Sequence, residues 1–252
     1  MKRKILIIIL LVAIVIVLML LVNRKSECFE ESGGEIYVSI VTMRKYKDAL
    51  ANVLASLPTG FTKYIVTYQD EPVEYDYYEQ KDDGHYEVYC KRNIFEYGAW
   101  PALATLKKDG VIKDSDKILM IHDTTKLGEK TIENIKALDF KDFDIFWASD
   151  VGQCNLCVIL GKVIDKGAEK FKDMLTLDRG VGISMEWDHK HENSLKNING
   201  VTNKFHDKGA EFRGSKKVYS DVERNVLYFE SIDLEKYYVH VNPDGKGHPT
   251  IP

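Results

Sequence analysis

KILMIHDTTKLG, Lys117 to Gly128, is the stretch on which the fold turns. Four consecutive apolar residues, Ile118 to Ile121, lead into His122-Asp123-Thr124-Thr125 and then into a charged, turn-rich segment. A short continuous apolar run of this kind reads as a strand covered on both faces. An acid with hydroxyls beside it at the end of such a strand is rigidly held, as a metal-binding or catalytic carboxylate must be. The same residues also suit a plainer role, in which Asp123 or Thr124 starts a turn and caps the segment that follows. The residues of this stretch alone support both.

Working outward, the chain alternates strand and helix. EIYVSIVTM, from Glu35, is β-branched and almost continuously apolar, and reads as the opening strand. Residues 44–57 place Tyr46, Leu50, Val53, Leu54 and Leu57 on one helical face, stopped by Pro58-Thr59-Gly60. KYIVTYQD (63–70) is a second strand, 71–85 a tyrosine-rich acidic loop, and YEVYCKRN (86–93) a third strand. Helices follow at 98–108, 129–138 and 161–177, with strands at 117–123, 144–150 and 154–160. This alternation predicts an α/β fold, a Rossmann-like mixed sheet with helices on both faces. In such sheets ligands bind beyond the C-terminal strand ends, at the topological switch point. Asp70, Asn93 and Asp123 each close a strand, so the rule places them near one crevice.

Between the third strand and its helix runs CKRNIFEYGAWPAL, from Cys90. Asn93 can hydrogen-bond a base or sugar, Glu96 can accept from hydroxyls, and Tyr97 or Trp100 can stack on a ring or serve as core aromatics. Gly98 permits close backbone approach at a helix N-terminus, which attracts phosphate. Further on, Glu186, Asp188, His189, His191 and Glu192 fall within seven positions, a cluster that also suits an exposed polar face. Val226 to Pro243 holds a last apolar stretch with His240 near its end.

Ile5 to Val22 is an 18-residue apolar run without charge. As a helix it spans about 27 Å, close to the hydrocarbon thickness of a bilayer. It is too long for the apolar region of a cleaved signal peptide, and Asn23-Arg24-Lys25-Ser26 is not a small-residue cleavage site. Residues 5–22 read as one transmembrane helix, with a cytosolic tail at 1–4 and a polar stalk at 23–35. Lys2, Arg3 and Lys4 against Arg24 and Lys25 favour a cytosolic N-terminus and an extracytosolic or lumenal domain. From Ser26 onward the chain carries 30 basic and 39 acidic residues, a balance of −9. That argues against a nucleic-acid partner and requires local neutralisation for any anionic substrate. Cys28, Cys90, Cys154 and Cys157 are too few for a zinc framework, and Cys154-x-x-Cys157 lacks a second ligand pair, so buried thiols or a disulfide are expected.

A type II anchor, an acidic stalk, the opening strand YVSIVTM, an N-x-x-E-Y-G-A segment ahead of a helix and an apolar strand ending in an acid together resemble the nucleotide-sugar glycosyltransferases of the GT-A fold. The resemblance covers Ile36 to Leu175. It implies a nucleotide-binding part at 36–177, an acceptor-side part at 178–252, a nucleotide-sugar donor and a glycan, protein or lipid acceptor. It implies a donor pocket of Thr42, Asp70, Asn93, Glu96 and Tyr97. It implies a divalent metal, Mn2+ or Mg2+, at Asp123 with His240 completing the shell, and Glu186 or Asp188 as catalytic base. In that family the strand ends in D-x-D, whereas here only Asp123 is acidic. The diphosphate would then be neutralised by a cation at Asp123, or by Lys91 and Arg92 with the helix N-terminus. Two other functions compete: a membrane-tethered binding domain without catalysis, supported by the single acid, and a metal-dependent hydrolase using Asp123, His122, His189 and His191.

Overall fold

The opening strand, β1 (Ile36–Met43), is buried along nearly its whole length. Its side chains alternate between two cores. Tyr37 and Val41 enter one apolar cluster, while Ile36, Val38 and Ile40 enter another. Burial on both faces is why the sequence shows no polar alternation. Each fully buried large apolar side chain contributes roughly 1.5–3 kcal/mol, so these strands specify the sheet. The computed structural model describes residues 34–74, 76–150, 156–172, 197–218 and 223–238, with Phe95, Glu96 and Tyr238 described in backbone only.

β1 pairs in parallel with β2 (Tyr64–Gln69) on one side and β5 (Lys117–His122) on the other. β4 (Tyr86–Tyr89) extends the parallel run beyond β2, and β3 (Tyr77–Gln80) closes that edge antiparallel. Beyond β5 lie β8 (Cys157–Leu160), β7 (Ile145–Trp147) and β9 (Asn203–Phe205). The order is β3-β4-β2-β1-β5-β8-β7-β9, with β3 and β8 running against the other six. The mixed α/β sheet expected from the alternation is present.

α1 (Lys47–Leu54) and α3 (Thr131–Ala137) contribute Leu50, Val53 and Ile135 to one cluster. α2 (Ala99–Lys108) and α4 (Ile164–Phe171) contribute Trp100, Leu103, Leu106, Ile164 and Phe171 to the other. The two cores therefore lie on opposite faces of the sheet, each with its own helices. Gly167 lets α4 approach α2: a Cβ there would run into the Trp100 ring. The helix expected at 161–177 is a 3-10 turn, Gly161–Val163, followed by α4; residues 173–177 lie outside the described residues.

A second sheet was not expected. β10 (Glu211–Lys217), β11 (Glu223–Phe229), β12 (Leu234–Tyr238) and β6 (Thr125–Leu127) form an antiparallel four-stranded sheet in the order β10-β11-β12-β6. Leu227, Phe229, Ile232 and Leu234 pack into the same core as α1 and α3. Ser56, just past α1, ties the two together: its hydroxyl donates to Val53 O at 2.6 Å and accepts from the Leu127 N–H at 2.9 Å. The expected division at 177/178 is crossed twice, since β6 pairs with β12 and β7 pairs with β9. All these elements belong to one compact unit, Glu35–Pro252. Among the described residues no helix is long and apolar enough to cross a membrane; the apolar run at 5–22 and stalk residues 23–33 lie outside them.

Candidate functional site at the strand ends

The chain runs from β1 to β2 on one side and reaches β5 on the other, so the sheet's switch point lies between β1 and β5. The register pairs Val41 with His122. One step further, Thr42 and Asp123 meet. The Thr42 hydroxyl donates to Asp123 Oδ2 at 2.8 Å, and the Asp123 N–H donates to Val41 O at 3.2 Å. Parity along the strands puts both side chains toward the core shared with α1, α3 and the small sheet. They are 3% and 8% exposed.

Asp123-Thr124 turns the chain out of β5 and directly into β6, not into a helix. The Thr125 hydroxyl closes the turn on His122 O at 2.7 Å, and the Tyr237 N–H holds Thr124 O at 2.9 Å. So the motif is a strand end and a turn at once, and the turn passes the chain from the large sheet to the small one. From β12, Lys236 reaches back: its Nζ donates to Thr124 Oγ1, and the side chain is 5% exposed. Burial pushes the Asp123 carboxyl above its ordinary range, opposed by the Thr42 hydroxyl, the positive fields of Lys236 and Arg224, and the Thr124 N–H.

The next strand ends supply a second pair. Asp70 follows β2 in the left-handed region, at φ 59°, a conformation that aspartate tolerates better than most residues. Its Oδ2 accepts from Asn93 Nδ2 at 3.0 Å, and Asn93 is buried. Thr42, Asp123 and Asp70 thus sit at the C-terminal ends of β1, β5 and β2, while Asn93 follows four residues after β4, which ends at Tyr89 and not at Asn93. Arg44, immediately after β1, joins this rim. Its Nε donates to the buried Glu71 at 2.7 Å, and its guanidinium lies 5.8 and 5.6 Å from the ring centres of Tyr68 and Tyr89. Sequence reasoning missed Arg44; tyrosines recurring at adjacent strand ends were the available signal.

The expectations for Tyr97 and Gly98 are corrected. Tyr97 does not offer a stacking surface: it is 1% exposed, with its ring 4.6 Å from that of Phe171 in the core. Trp100 is a core aromatic too. Gly98 makes room for the Gln69 side chain, which a Cβ would strike, and Gln69 Oε1 accepts the Ile94 N–H at 2.9 Å. Arg92 donates to Lys172 O at 3.1 Å, at the end of α4. Glu96 lies in the 3-10 turn at 95–98. Cys90 and Cys157 are buried free thiols; burial pushes Cys90 up to about 12 and raises Cys157 as well. Glu186, Asp188, His189, His191, His240, Cys28 and Cys154 lie outside the described residues.

A divalent ion needs several oxygen or nitrogen donors around it. At this strand end the described residues provide one carboxylate, already hydrogen-bonded to Thr42, with two cations acting on it. Among the described residues no three His, Cys, Asp or Glu side chains gather as a metal-binding group. Asp123 is the one implied metal ligand among the described residues; His240 lies outside them.

No family model matches the chain. No curated protein matches it. Among solved structures, the apo form of the glycosyltransferase GlyE from Streptococcus pneumoniae TIGR4 is similar at 14% sequence identity with a TM-score of 0.38. The likeness covers 66% of this chain and 40% of that one, so this chain spans about two fifths of the length of that structure.

Proposed function

We propose that the chain is a glycosyltransferase that moves a sugar from a nucleotide-sugar donor to an acceptor hydroxyl. The observation that carries this reading is the buried Thr42–Asp123 hydrogen bond, which joins β1 and β5 at the switch point of the sheet. Doubly wound sheets bind ligands at this place. Thr42, Asp70, Asn93 and Glu96 are the donor-binding groups of this proposal. In the reaction, the acceptor oxygen bonds to the anomeric carbon while the bond from that carbon to the diphosphate breaks. The nucleoside diphosphate leaves with the electron pair. In an inverting transfer, Glu186 or Asp188 takes the acceptor proton. The acceptor is a glycan, protein or lipid hydroxyl. Residues 5–22 anchor the chain as a single-pass type II protein, with the catalytic part on the extracytosolic or lumenal side. The metal that the family resemblance assigns to Asp123 and His240 enters no step here.

The second reading, a tethered binding domain without catalysis, is favoured by the single acid at the end of β5. Thermal unfolding of the full chain in detergent, with UDP, GDP and their sugars, separates the two. A ligand at 100 times its dissociation constant adds about 2.7 kcal/mol to stability. A rise in Tm with one nucleotide and its sugar is the expected result. No rise with any of them would give the second reading the better case.

A further inference from the structure

The soluble part is acidic, so a diphosphate bound at the strand ends needs a local cation. Lys91 and Arg92 were the sequence candidates, but Arg92 is engaged at the end of α4 and Lys91 is exposed. The small sheet brings other cations to the place. Lys236 lies on β12, which is hydrogen-bonded to β11 on one side and β6 on the other, so its backbone is held from both edges. Its ammonium is buried and rests on Thr124, the residue after Asp123. Arg224 on β11 is the second cation whose field reaches the Asp123 carboxylate.

We propose that Lys236, assisted by Arg224, is the cation that binds the diphosphate of the donor, and that nucleotide binding here needs no divalent metal. The proposal rests on reading the crevice as a nucleotide-sugar site. Lysine binds phosphate as a point charge, and one already ordered by its surroundings gives up little freedom on binding. Thr42 fixes the Asp123 carboxylate beside it. A metal at Asp123 would instead have to sit among two cations, which repel it.

The test is titration of UDP and GDP into the full-length chain in detergent, in EDTA and again in MnCl2. The expected result is equal affinity in both, with Lys236→Met weakening binding about 10- to 100-fold, as loss of a charge-assisted hydrogen bond predicts. Asp123→Asn keeps the shape and the Thr42 contact and removes a negative charge beside the diphosphate. It should bind the nucleotide as well as the wild type or better, whereas a metal bridged by Asp123 requires its loss. Binding that disappears in EDTA overturns the proposal and leaves the transferase reading standing. So does unchanged affinity in a folded Lys236→Met variant. If that variant does not fold, the EDTA comparison and Asp123→Asn decide. No binding of UDP or GDP in either condition overturns the transferase reading and this proposal with it.

Discussion

β1 and β10 are strands of nearly equal length built on opposite terms. IYVSIVTM of β1 is buried at seven of its eight positions. EFRGSKK of β10 is exposed at six of its seven. The first is inserted between two parallel partners and clasped by cores on both faces; the second is the edge of an antiparallel sheet. β1 is held by packing. β10 is held by its ladder to β11 and by local contacts such as Arg213 stacked over Tyr228 and Lys216 paired with Glu235. The difference teaches that the stable part of this molecule is the parallel centre, and that the small sheet contributes through its inner strands, β11 and β12, which carry Leu227, Phe229 and Leu234.

The sharpest way to break the comparison is at Trp100. The ring is fully buried in the core beneath β1, against Phe171 and over Gly167. Trp100→Ala should cost about 3–5 kcal/mol, measured by urea unfolding. A loss below about 1 kcal/mol would mean the parallel centre is not where stability resides.

The next effect is polar. Lys117, the first residue of β5, donates from Nζ to three carbonyls at the end of α3: Ile135 O at 3.2 Å, Lys136 O at 2.9 Å and Leu138 O at 2.7 Å. A cation at a helix C-terminus satisfies orphaned carbonyls and complements the dipole. Lys117→Met keeps the aliphatic stem and removes the donors. The expected loss is about 1–2 kcal/mol, with the helical signal of α3 fraying first in amide hydrogen exchange.

How much was legible follows the same divide. β1, β2 and β5 were readable because burial on both faces leaves an unbroken apolar run. The strand-end rule then put Asp70, Asn93 and Asp123 in one region without any contact being known. β6 and β10 were not readable. Thr125–Leu127 is three residues inside a charged stretch, and Glu211–Lys217 has neither apolar alternation nor a continuous run. β3 was hidden in a loop for the same reason. Lys236 was illegible as a site residue because its function in the fold depends on β12 pairing with β6, more than a hundred positions earlier in the chain. A lysine inside the apolar stretch from Val226 was the one available clue. Tyr97 failed in the other direction: position in a promising segment says nothing about which way the ring faces.

The Asp123 carboxyl joins the two regions, and its titration reads that junction. Its folded pKa is raised, by burial first. The folded state therefore holds the proton more tightly than the unfolded chain. The stabilisation from this group is complete below the ordinary carboxylate pKa and is lost as the pH climbs through the raised one. Asparagine does not titrate. The stability of the wild type relative to Asp123→Asn should thus fall as the pH rises above the usual carboxylate range, and level off once Asp123 is ionised. Urea midpoints of both proteins across the acid range check the sign. A gap that moves in favour of the wild type would mean that Lys236 and Arg224 outweigh burial.

The smallest effect belongs to Phe212 on β10, which is 55% exposed. A large apolar side chain on an edge strand invites pairing with another chain, and proteins guard such edges with charge. Here Arg213, Lys216 and Lys217 stand along the same strand. With more than half its surface in water, the ring loses little when replaced. Phe212→Ser should change stability by no more than about 0.5 kcal/mol, against the several expected for Trp100. Equal unfolding midpoints would confirm that β10 is held by its ladder rather than by side-chain burial. A loss above about 1 kcal/mol would show that Phe212 is covered in solution, and would make the small sheet's outer edge a packed surface like β1.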